Sequence, residues 1–323
     1  MTSVLEQKLL VIAGKGGVGK TTIAGAVGLL AANRGLRTLV VDVSQQDRLP
    51  ALFGVAKQHA GVETELREGL WSLSIDPDRA LLEWLQALGG RLSGRLLASS
   101  STFQYFAAAA PGAKELVSMV KIWELTQGKR RRGRALGYDL VVLDAPATGH
   151  ALGLLQSPRT FGAIARVGPI ATQTRRVEEL LRDPARSSYL AVAQGTEMAV
   201  TETLELDAGL RRELDRRVHA VIVNAVLPQR FTGAELRRLA QLGGGGLAHP
   251  GRPLGAKRPA VDTVTRSAML AARAVHDRAR YQHNQVARLR RRRFEVFSVP
   301  FQFATELDLP ALARIAAHLA RRL

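Results

Sequence analysis

The chain has 323 residues, of which 46% are hydrophobic, 5% aromatic and 23% charged, so it can build an aliphatic core and global disorder is not expected. It contains no cysteine, which excludes disulfides, thiolate metal sites and catalysis by a thiol. The formal net charge of +18 suggests an anionic partner such as ATP, nucleic acid or an acidic membrane surface, but the composition, rich in Arg and Ala, favours a coding bias as the cause of the charge.

Short apolar runs alternate with helical patterns along the chain. Strands are predicted at residues 9–13, 38–42, 70–75, 139–144, 219–224 and 294–299. Helices are predicted at residues 20–34, 77–88, 113–127, 263–293 and 309–323, and residues 157–214 look mostly helical.

This alternation predicts an α/β fold with a mostly parallel central sheet that helices flank on both faces. Because the strands are spread over nearly the whole chain, we expect one domain, residues 1–323, with a mainly helical insertion at about residues 157–214. No stretch approaches the roughly 20 apolar residues that span a bilayer, and the N-terminus lacks the pattern of a secretory leader. We therefore expect a cytoplasmic protein.

The strongest motif is a glycine-rich loop between the first strand and the first helix. It reads Gly14-Lys15-Gly16-Gly17-Val18-Gly19-Lys20-Thr21-Thr22 and fits G-x-x-x-x-G-K-[ST], the phosphate-binding loop of P-loop NTPases. Glycines let the backbone wrap a phosphate, and the N–H groups of the helix N-terminus attract the anion. Lys20 is expected to reach the β- and γ-phosphates, and the Thr21 hydroxyl to coordinate Mg²⁺. The loop therefore predicts binding and hydrolysis of Mg-ATP.

Lys15 is an additional lysine near the start of this loop. The sequence Gly-Lys-Gly-Gly-Val-Gly-Lys-Thr resembles the deviant Walker A class, which includes the ParA and MinD ATPases, the nitrogenase iron protein and the ArsA family. In that class this lysine reaches the nucleotide of the partner subunit. The resemblance thus implies a nucleotide-sandwich dimer and a catalytic role for Lys15; a solvent-facing lysine is the plain alternative.

Asp144 ends an apolar run and occupies the Walker B position, where a carboxylate orients Mg²⁺ through a water. The segment Asp144-Ala145-Pro146-Ala147-Thr148-Gly149-His150 resembles the second switch of the ArsA family, D-T-A-P-T-G-H, with a small rearrangement. The residues retained are Pro146, Thr148, Gly149 and His150. ParA and MinD chains usually lack Thr-Gly-His, so this segment favours the ArsA family. The resemblance implies that the segment senses the γ-phosphate and moves the following helices.

Asp42 ends the second predicted strand. In the ArsA family the matching aspartate begins the first switch, D-P-A-H, and orients the attacking water, which implies a catalytic role here. The segment reads Asp42-Val43-Ser44-Gln45, so the family's Pro and His are missing and the turnover rate stays open. A strand-end aspartate without a catalytic role is the alternative.

Asn224 ends another predicted strand, at the position where an asparagine of the ArsA family reads the adenine edge. A side-chain amide can pair with N6 and N7 of the base. Pro300 and Phe301 match the family's adenine-side loop, and residues 195–203 resemble its P-E-x-x-x-x-E-T stretch. A strand cap and a turn are the plain alternatives.

The ArsA family includes the arsenite-efflux ATPase and the eukaryotic ATPase that targets tail-anchored proteins. Without cysteine, this chain has neither the arsenite-binding cysteines of the first nor the zinc-holding C-x-x-C pair of the second, so arsenite is not expected as a substrate. The second protein shields a membrane helix in a Met-rich groove, whereas this chain has four Met. Residues 157–214 and 103–110 are candidate client-binding segments, with ordinary helix packing as the alternative.

Three hypotheses remain. The first is an ArsA-like ATPase that works as a homodimer, or as a heterodimer with a related ATPase, and handles a client such as a membrane protein. The second is a ParA- or MinD-like ATPase that acts on DNA or a membrane surface. The third is a nucleotide-binding subunit that depends on a paralogous partner for turnover.

Two basic runs, residues 129–134 and 288–293, bear on these hypotheses. Neither is interleaved with the aromatics that single-strand binders stack on bases, so nucleic acid is disfavoured. Solvated loops and contact with anionic lipid headgroups both stay open, and with them a peripheral position at the membrane.

Overall fold

The structure is a computed structural model that describes residues 4–44, 48–56, 59–88, 112–127, 137–164, 167–243 and 263–323. Three features of the sequence analysis lie outside the described residues. They are the candidate client segment 103–110, the basic run 129–134 and Gln45 of the first switch.

The described residues form one eight-stranded sheet. Its strands are β1 (Leu9–Gly14), β2 (Thr38–Asp42), β3 (Thr64–Arg67), β4 (Leu70–Ser74), β5 (Leu140–Ala147), β6 (Ser187–Gln194), β7 (Ala220–Val226) and β8 (Glu295–Pro300). The order is β3-β4-β2-β5-β1-β6-β7-β8, and every neighbouring pair is parallel except β3 with β4. All residues of β1 and β2 are buried, so both faces of the central strands are covered, as parallel sheets require.

Helices cover this sheet. They are α1 (Lys20–Asn33), α2 (Leu49–Leu52), α3 (Pro77–Leu88), α4 (Ala113–Thr126), α5 (Thr148–Ile164), α6 (Gly168–Arg182), α7 (Glu197–Leu214), α8 (Gly233–Gly243), α9 (Thr263–Arg291) and α10 (Leu309–Leu319). Helix α1 packs against α10, while α4, α5, α6 and α7 form a second packed group. Within the described part of the chain, no helix is both long and apolar enough to cross a bilayer.

The predicted fold class, a mostly parallel sheet flanked by helices, is confirmed. The mainly helical insertion predicted at residues 157–214 needs correction, because β6 lies in this segment and is hydrogen-bonded between β1 and β7. Two serines begin β6 and weaken its apolar pattern. The hydroxyl of Ser187 donates to the carbonyl oxygen of Leu181 at 3.0 Å, which lets this polar residue be buried. That residues 1–323 form one domain stays a prediction.

Gly28 lies where α1 approaches the sheet most tightly. A Cβ added to Gly28 would lie 2.7 Å from Val40 Cγ2 and 3.0 Å from Leu70 Cδ1. Gly153, in the middle of α5, offers a contrast, since a Cβ added there meets nothing within 4 Å.

We expect Gly28→Ala to lower the free energy of unfolding by about 1–3 kcal/mol, because overpacking outweighs the better helix propensity of alanine. The matched control Gly153→Ala should raise it by up to about 1 kcal/mol, because only propensity changes. Chemical denaturation of both variants measures the difference, and a stabilised Gly28→Ala protein would contradict the packing described here.

Candidate nucleotide-binding site

The carboxyl ends of β1, β2 and β5 meet at one edge of the sheet. In the parallel register Asp42 pairs with Asp144, and Gly14 pairs with Ala147. Strand β5 continues to Ala147, so Asp144 lies inside the strand and not at its end as predicted. Open parallel sheets bind their ligands outside this edge, and the glycine-rich loop lies here.

Two glycines determine the path of the loop. Gly14 has a φ of 150° and Gly19 a φ of 92°, both in the region that favours glycine. A Cβ at Gly14 would lie 2.1 Å from the carbonyl oxygen of Val192, and a Cβ at Gly19 would lie 2.3 Å from Asn224 Nδ2. Close approach to β6 and to Asn224 therefore requires glycine at both positions.

The other loop residues differ in exposure. Gly16 and Gly17 are exposed, whereas Val18 and Thr22 are buried. The loop is thus anchored at its helical end, while the backbone of its middle is open to a ligand.

Lys20, the first residue of α1, folds back over the loop. Its Nζ donates to the carbonyl oxygens of Gly14 and Lys15, both at 3.1 Å. Burial lowers the pKa of Lys20, while the negative charges of Asp144 and Glu202 oppose this shift. Because few waters screen a partly buried cation, Lys20 attracts an anion more strongly than a surface lysine would.

Asp144 and Asp42 are neighbouring carboxylates, only 3% and 4% exposed. Thr21 Oγ1 donates to Asp144 Oδ2 at 2.6 Å, and Asp42 Oδ1 accepts from the N–H and hydroxyl of Ser44 at 2.7 and 2.6 Å. Burial raises the pKa of Asp144 to about 6; the hydrogen bond from Thr21 and the charge of Lys20 oppose this effect, and the charge of Asp42 adds to it. Ser44 was not predicted as a partner of Asp42.

The residues present fit a magnesium ion. The Thr21 hydroxyl and the Asp144 carboxylate are oxygen donors in direct contact, and oxygen is the ligand atom that Mg²⁺ prefers. A divalent cation would also offset the unfavourable burial of negative charge that raises the pKa of Asp144.

Lys15 is paired within its own subunit. Its Nζ lies 2.5 Å from Oε1 of Glu202 in α7, and Glu202 Oε2 accepts a hydrogen bond from Thr148 Oγ1 at 3.3 Å. The sequence placed Glu202 only in the family-like stretch 195–203, with no sign of a link to Lys15. The contact depends on β6 lying beside β1, which the sequence analysis missed.

The predicted switch residues lie on both sides of the junction between β5 and α5. Pro146 is half-buried near the end of β5, and Thr148 is the buried first residue of α5. Gly149 and His150 are exposed in the first turn of α5. Their switch role stays a prediction.

Asn224 joins β7 to the glycine loop. Its Nδ2 donates to the carbonyl oxygen of Val18 at 3.0 Å, and its Oδ1 accepts from the N–H of Ala225 at 2.9 Å. The amide retains one N–H and one oxygen lone pair with which it could pair with a base. Reading of adenine by Asn224 stays a prediction.

Pro300 is the last residue of β8, and the N–H of Phe301 donates to the carbonyl oxygen of Val226 at 3.0 Å. The Phe301 ring is 42% exposed and packs edge-on against Phe303, with 5.0 Å between centroids. The Arg230 guanidinium lies 4.6 Å from the centroid of the Phe303 ring. Phe303 and Arg230 were not predicted, because their contact requires β7 and β8 to be neighbours.

Comparison with known proteins agrees with this geometry. A family model described as anion-transporting ATPase, ArsA_ATPase, matches residues 7–168, half of the chain. The chain is 30% identical over 241 residues to ATPase BagA of Mycobacterium tuberculosis, which covers 72% of this chain and 69% of that protein. This chain belongs to the ArsA family.

Further similar proteins come from a plant and a fungus. ATPase GET3C of Arabidopsis thaliana is 25% identical over 280 residues, covering 71% of this chain and 69% of that protein. ATPase GET3 of Paracoccidioides lutzii is 29% identical over 182 residues, covering 54% of this chain and 50% of that protein. Membership of the ArsA family confirms the predicted ATP binding and hydrolysis, while the role of each site residue stays a prediction.

The raised pKa of Asp144 predicts a pH dependence in the protein without metal or nucleotide. Because the folded state holds this proton more tightly than the unfolded chain, the unfolding free energy should rise as pH falls from about 6 to 4. At pH 7 the ionised carboxylate should cost about 3 kcal/mol, so Asp144→Asn should be the more stable protein there. Denaturant titrations in a chelator at several pH values measure this difference, which should shrink towards pH 4.

Asp139→Asn provides the matched control. Asp139 is exposed and accepts a hydrogen bond from the N–H of Arg37 at 2.9 Å, at the start of the strand whose centre holds Asp144. An Asp144→Asn protein that is less stable than wild type at pH 7 would contradict the prediction.

Proposed function

We propose that this ArsA-family ATPase hydrolyses Mg-ATP as a nucleotide-sandwich dimer and couples turnover to the handling of a hydrophobic client. The observation that favours this function most is the convergence of Lys20, Thr21, Asp42 and Asp144 at one edge of the sheet.

In this proposal Lys20 binds and neutralises the phosphates, and Thr21 with Asp144 holds Mg²⁺. The ion would supply further positive charge to the transferring phosphoryl group. Asp42 orients the attacking water, and its carboxylate is fixed for this task by the two donors of Ser44. The first switch lacks the family's Pro and His, and here Ser44 holds Asp42 locally.

The dimer is proposed from Lys15 and from the resemblance of its loop to the deviant Walker A class. Lys15 lies at the exposed part of the loop and is only partly buried, so it is accessible to a second subunit. A lysine from the partner would stabilise negative charge that develops during hydrolysis, as an arginine finger does.

The client role is proposed from exposed apolar side chains beside the switch helix. Ile164 at the end of α5 is 75% exposed, and Val167 just before α6 is 86% exposed. Both belong to the segment 157–214 that the sequence singled out as client-binding. Because α5 begins at Thr148, a movement of the second switch would reach this surface along one helix.

Mixing two inactive variants tests the catalytic and dimer proposals together. Asp42→Asn should lose at least about 100-fold in turnover, because the water loses its orienting carboxylate. Lys15→Gln should lose about 1,000-fold, because the partner's active site loses a cation. In an equimolar mixture each mixed dimer holds one intact site, so about a quarter of wild-type turnover should return. Phosphate release and sedimentation velocity measure turnover and oligomeric state.

Asp139→Asn is the control and should leave turnover unchanged, because Asp139 lies at the amino end of β5, away from the carboxyl ends of the strands that form the site. No recovery in the mixture, with both variants still dimeric, would show that Lys15 does not act across subunits. Full activity of a wild-type monomer would contradict the dimer. ATP binding without any turnover would favour a subunit that needs a paralogous partner, and ATP-dependent DNA binding would favour the ParA-like alternative.

The double variant Ile164→Asp, Val167→Asp tests the client surface. It should retain ATPase activity but lose the ability to keep a synthetic apolar helix of about 20 residues soluble, because charge at the surface opposes burial of the peptide. Light scattering of the peptide with protein and ATP measures this. Val62→Asp, which alters a 41% exposed valine before β3, is the control; equal protection by all three proteins would reject this surface as the client site.

A further inference from the structure

Glu202, the glutamate of the E-T pair in the family-like stretch 195–203, contacts two groups of the candidate site. It lies in the second turn of α7, with Oε1 2.5 Å from Lys15 Nζ and Oε2 accepting from Thr148 Oγ1 at 3.3 Å. Its negative charge also acts on Lys20, whose pKa it helps to hold up. One carboxylate therefore joins the glycine loop to the first residue of the switch helix α5.

This pairing competes with the proposed task of Lys15. The side chains of Lys15 and Glu202 are 32% and 26% exposed, so the ion pair lies at the surface and can open without unfolding. While it is closed, the lysine charge is neutralised inside its own subunit. A lysine that reaches a nucleotide on another subunit has to leave Glu202 first.

We propose that Glu202 is an intrasubunit latch: it holds Lys15 on its own subunit until nucleotide-dependent dimerisation draws Lys15 away, and it passes this change to α5 through Thr148. The inference rests on the proposed dimer. Glu202 is a positioning residue in this account, since it acts through Lys15 and touches no reacting atom.

The latch also links the glycine loop, through Lys15, to the start of helix α5, through Thr148. When Lys15 leaves, the Glu202 carboxylate loses its closest cation and keeps the Thr148 hydroxyl as its neutral partner. Hydrogen bonds to a charged acceptor strengthen when a competing cation is removed, so the start of α5 becomes more tightly held to α7. The state of the loop and the position of the switch helix are thereby linked through a single side chain.

Glu202→Gln tests the latch, because it keeps the shape of the side chain and removes the charge. A partly exposed ion pair contributes little free energy, so its loss should change the monomer–dimer equilibrium only modestly. In the presence of magnesium and a non-hydrolysable ATP analogue, the dissociation constant of the Glu202→Gln dimer should be about two- to fivefold lower than that of wild type. It should not dimerise more tightly without nucleotide. Combined with Lys15→Gln, the substitution should have no further effect, since the latch then has nothing to hold. Sedimentation velocity measures the dissociation constants.

A second measurement does not depend on the dimer. In the nucleotide-free protein, acylation of Lys15 by an amine-reactive ester should be several-fold faster in Glu202→Gln than in wild type, as read by mass spectrometry. Glu213→Gln is the control, because Glu213 lies on the same helix and pairs with Arg159 and Arg212 far from the loop. It should change neither the labelling of Lys15 nor the dissociation constant.

The outcomes separate the latch from the dimer. If wild type dimerises with the analogue but Glu202→Gln dimerises equally or less tightly, the latch is wrong and the dimer stands. Unchanged labelling of Lys15 also overturns the latch. If neither protein dimerises with the analogue, the proposed dimer is wrong and the latch falls with it.

Discussion

Two carboxylates buried side by side, Asp42 and Asp144, are the constraint on which the rest of the site depends. The parallel register of β2 and β5 brings them together, and the fully buried strands around them exclude the water that would otherwise screen their repulsion. Lys20 and Thr21 offset part of this cost. The protein thus keeps an excess of negative charge at the place where an ATPase needs a divalent cation.

Around this pair, positive charge is held on a loop whose path depends on close contacts. The carbonyl oxygen of Val192 leaves no room for a Cβ at Gly14, and Asn224 leaves none at Gly19. The loop therefore packs closely against β6 at Gly14 and against β7 at Gly19. If Asn224 reads the base as predicted, phosphate binding and base binding share these supports, since Asn224 contacts the loop backbone directly.

Much of this site could be predicted from local sequence patterns. The glycine loop, Asp42 and Asp144 follow apolar runs that are unmistakable as strands, and parallel strands bring their carboxyl ends to one edge. The partners Ser44, Glu202 and Phe303 could not be predicted in the same way. Ser44 contacts Asp42 locally, two residues away, but the apolar pattern does not mark this contact. The contacts of Glu202 with Lys15 and of Phe303 with Arg230 are set by tertiary packing and by strand order, which local periodicity does not encode.

Strand β6 explains the largest difference between sequence and structure. Its serines and its short apolar centre sit between two strongly helical stretches, so the helical pattern dominates the segment. In the fold, however, β6 is hydrogen-bonded on both sides and its residues are almost entirely buried. Ser187 can be buried at the start of this central strand because its hydroxyl donates a hydrogen bond to the carbonyl oxygen of Leu181 in α6, so the strand begins without the usual apolar residue.

The position of β6 has a consequence for how this protein can be divided. An insertion that adds no strand to the central sheet can be deleted without breaking the sheet. Removing residues 157–214 here would instead split the sheet, separating β1 and its phosphate loop from β7 and Asn224. Two long, apolar edges would be opened in the process, and such edges pair with other chains. Helices α6 and α7 flank β6 along the chain, so they cannot be removed together with β6 without disrupting the sheet that carries the candidate nucleotide site.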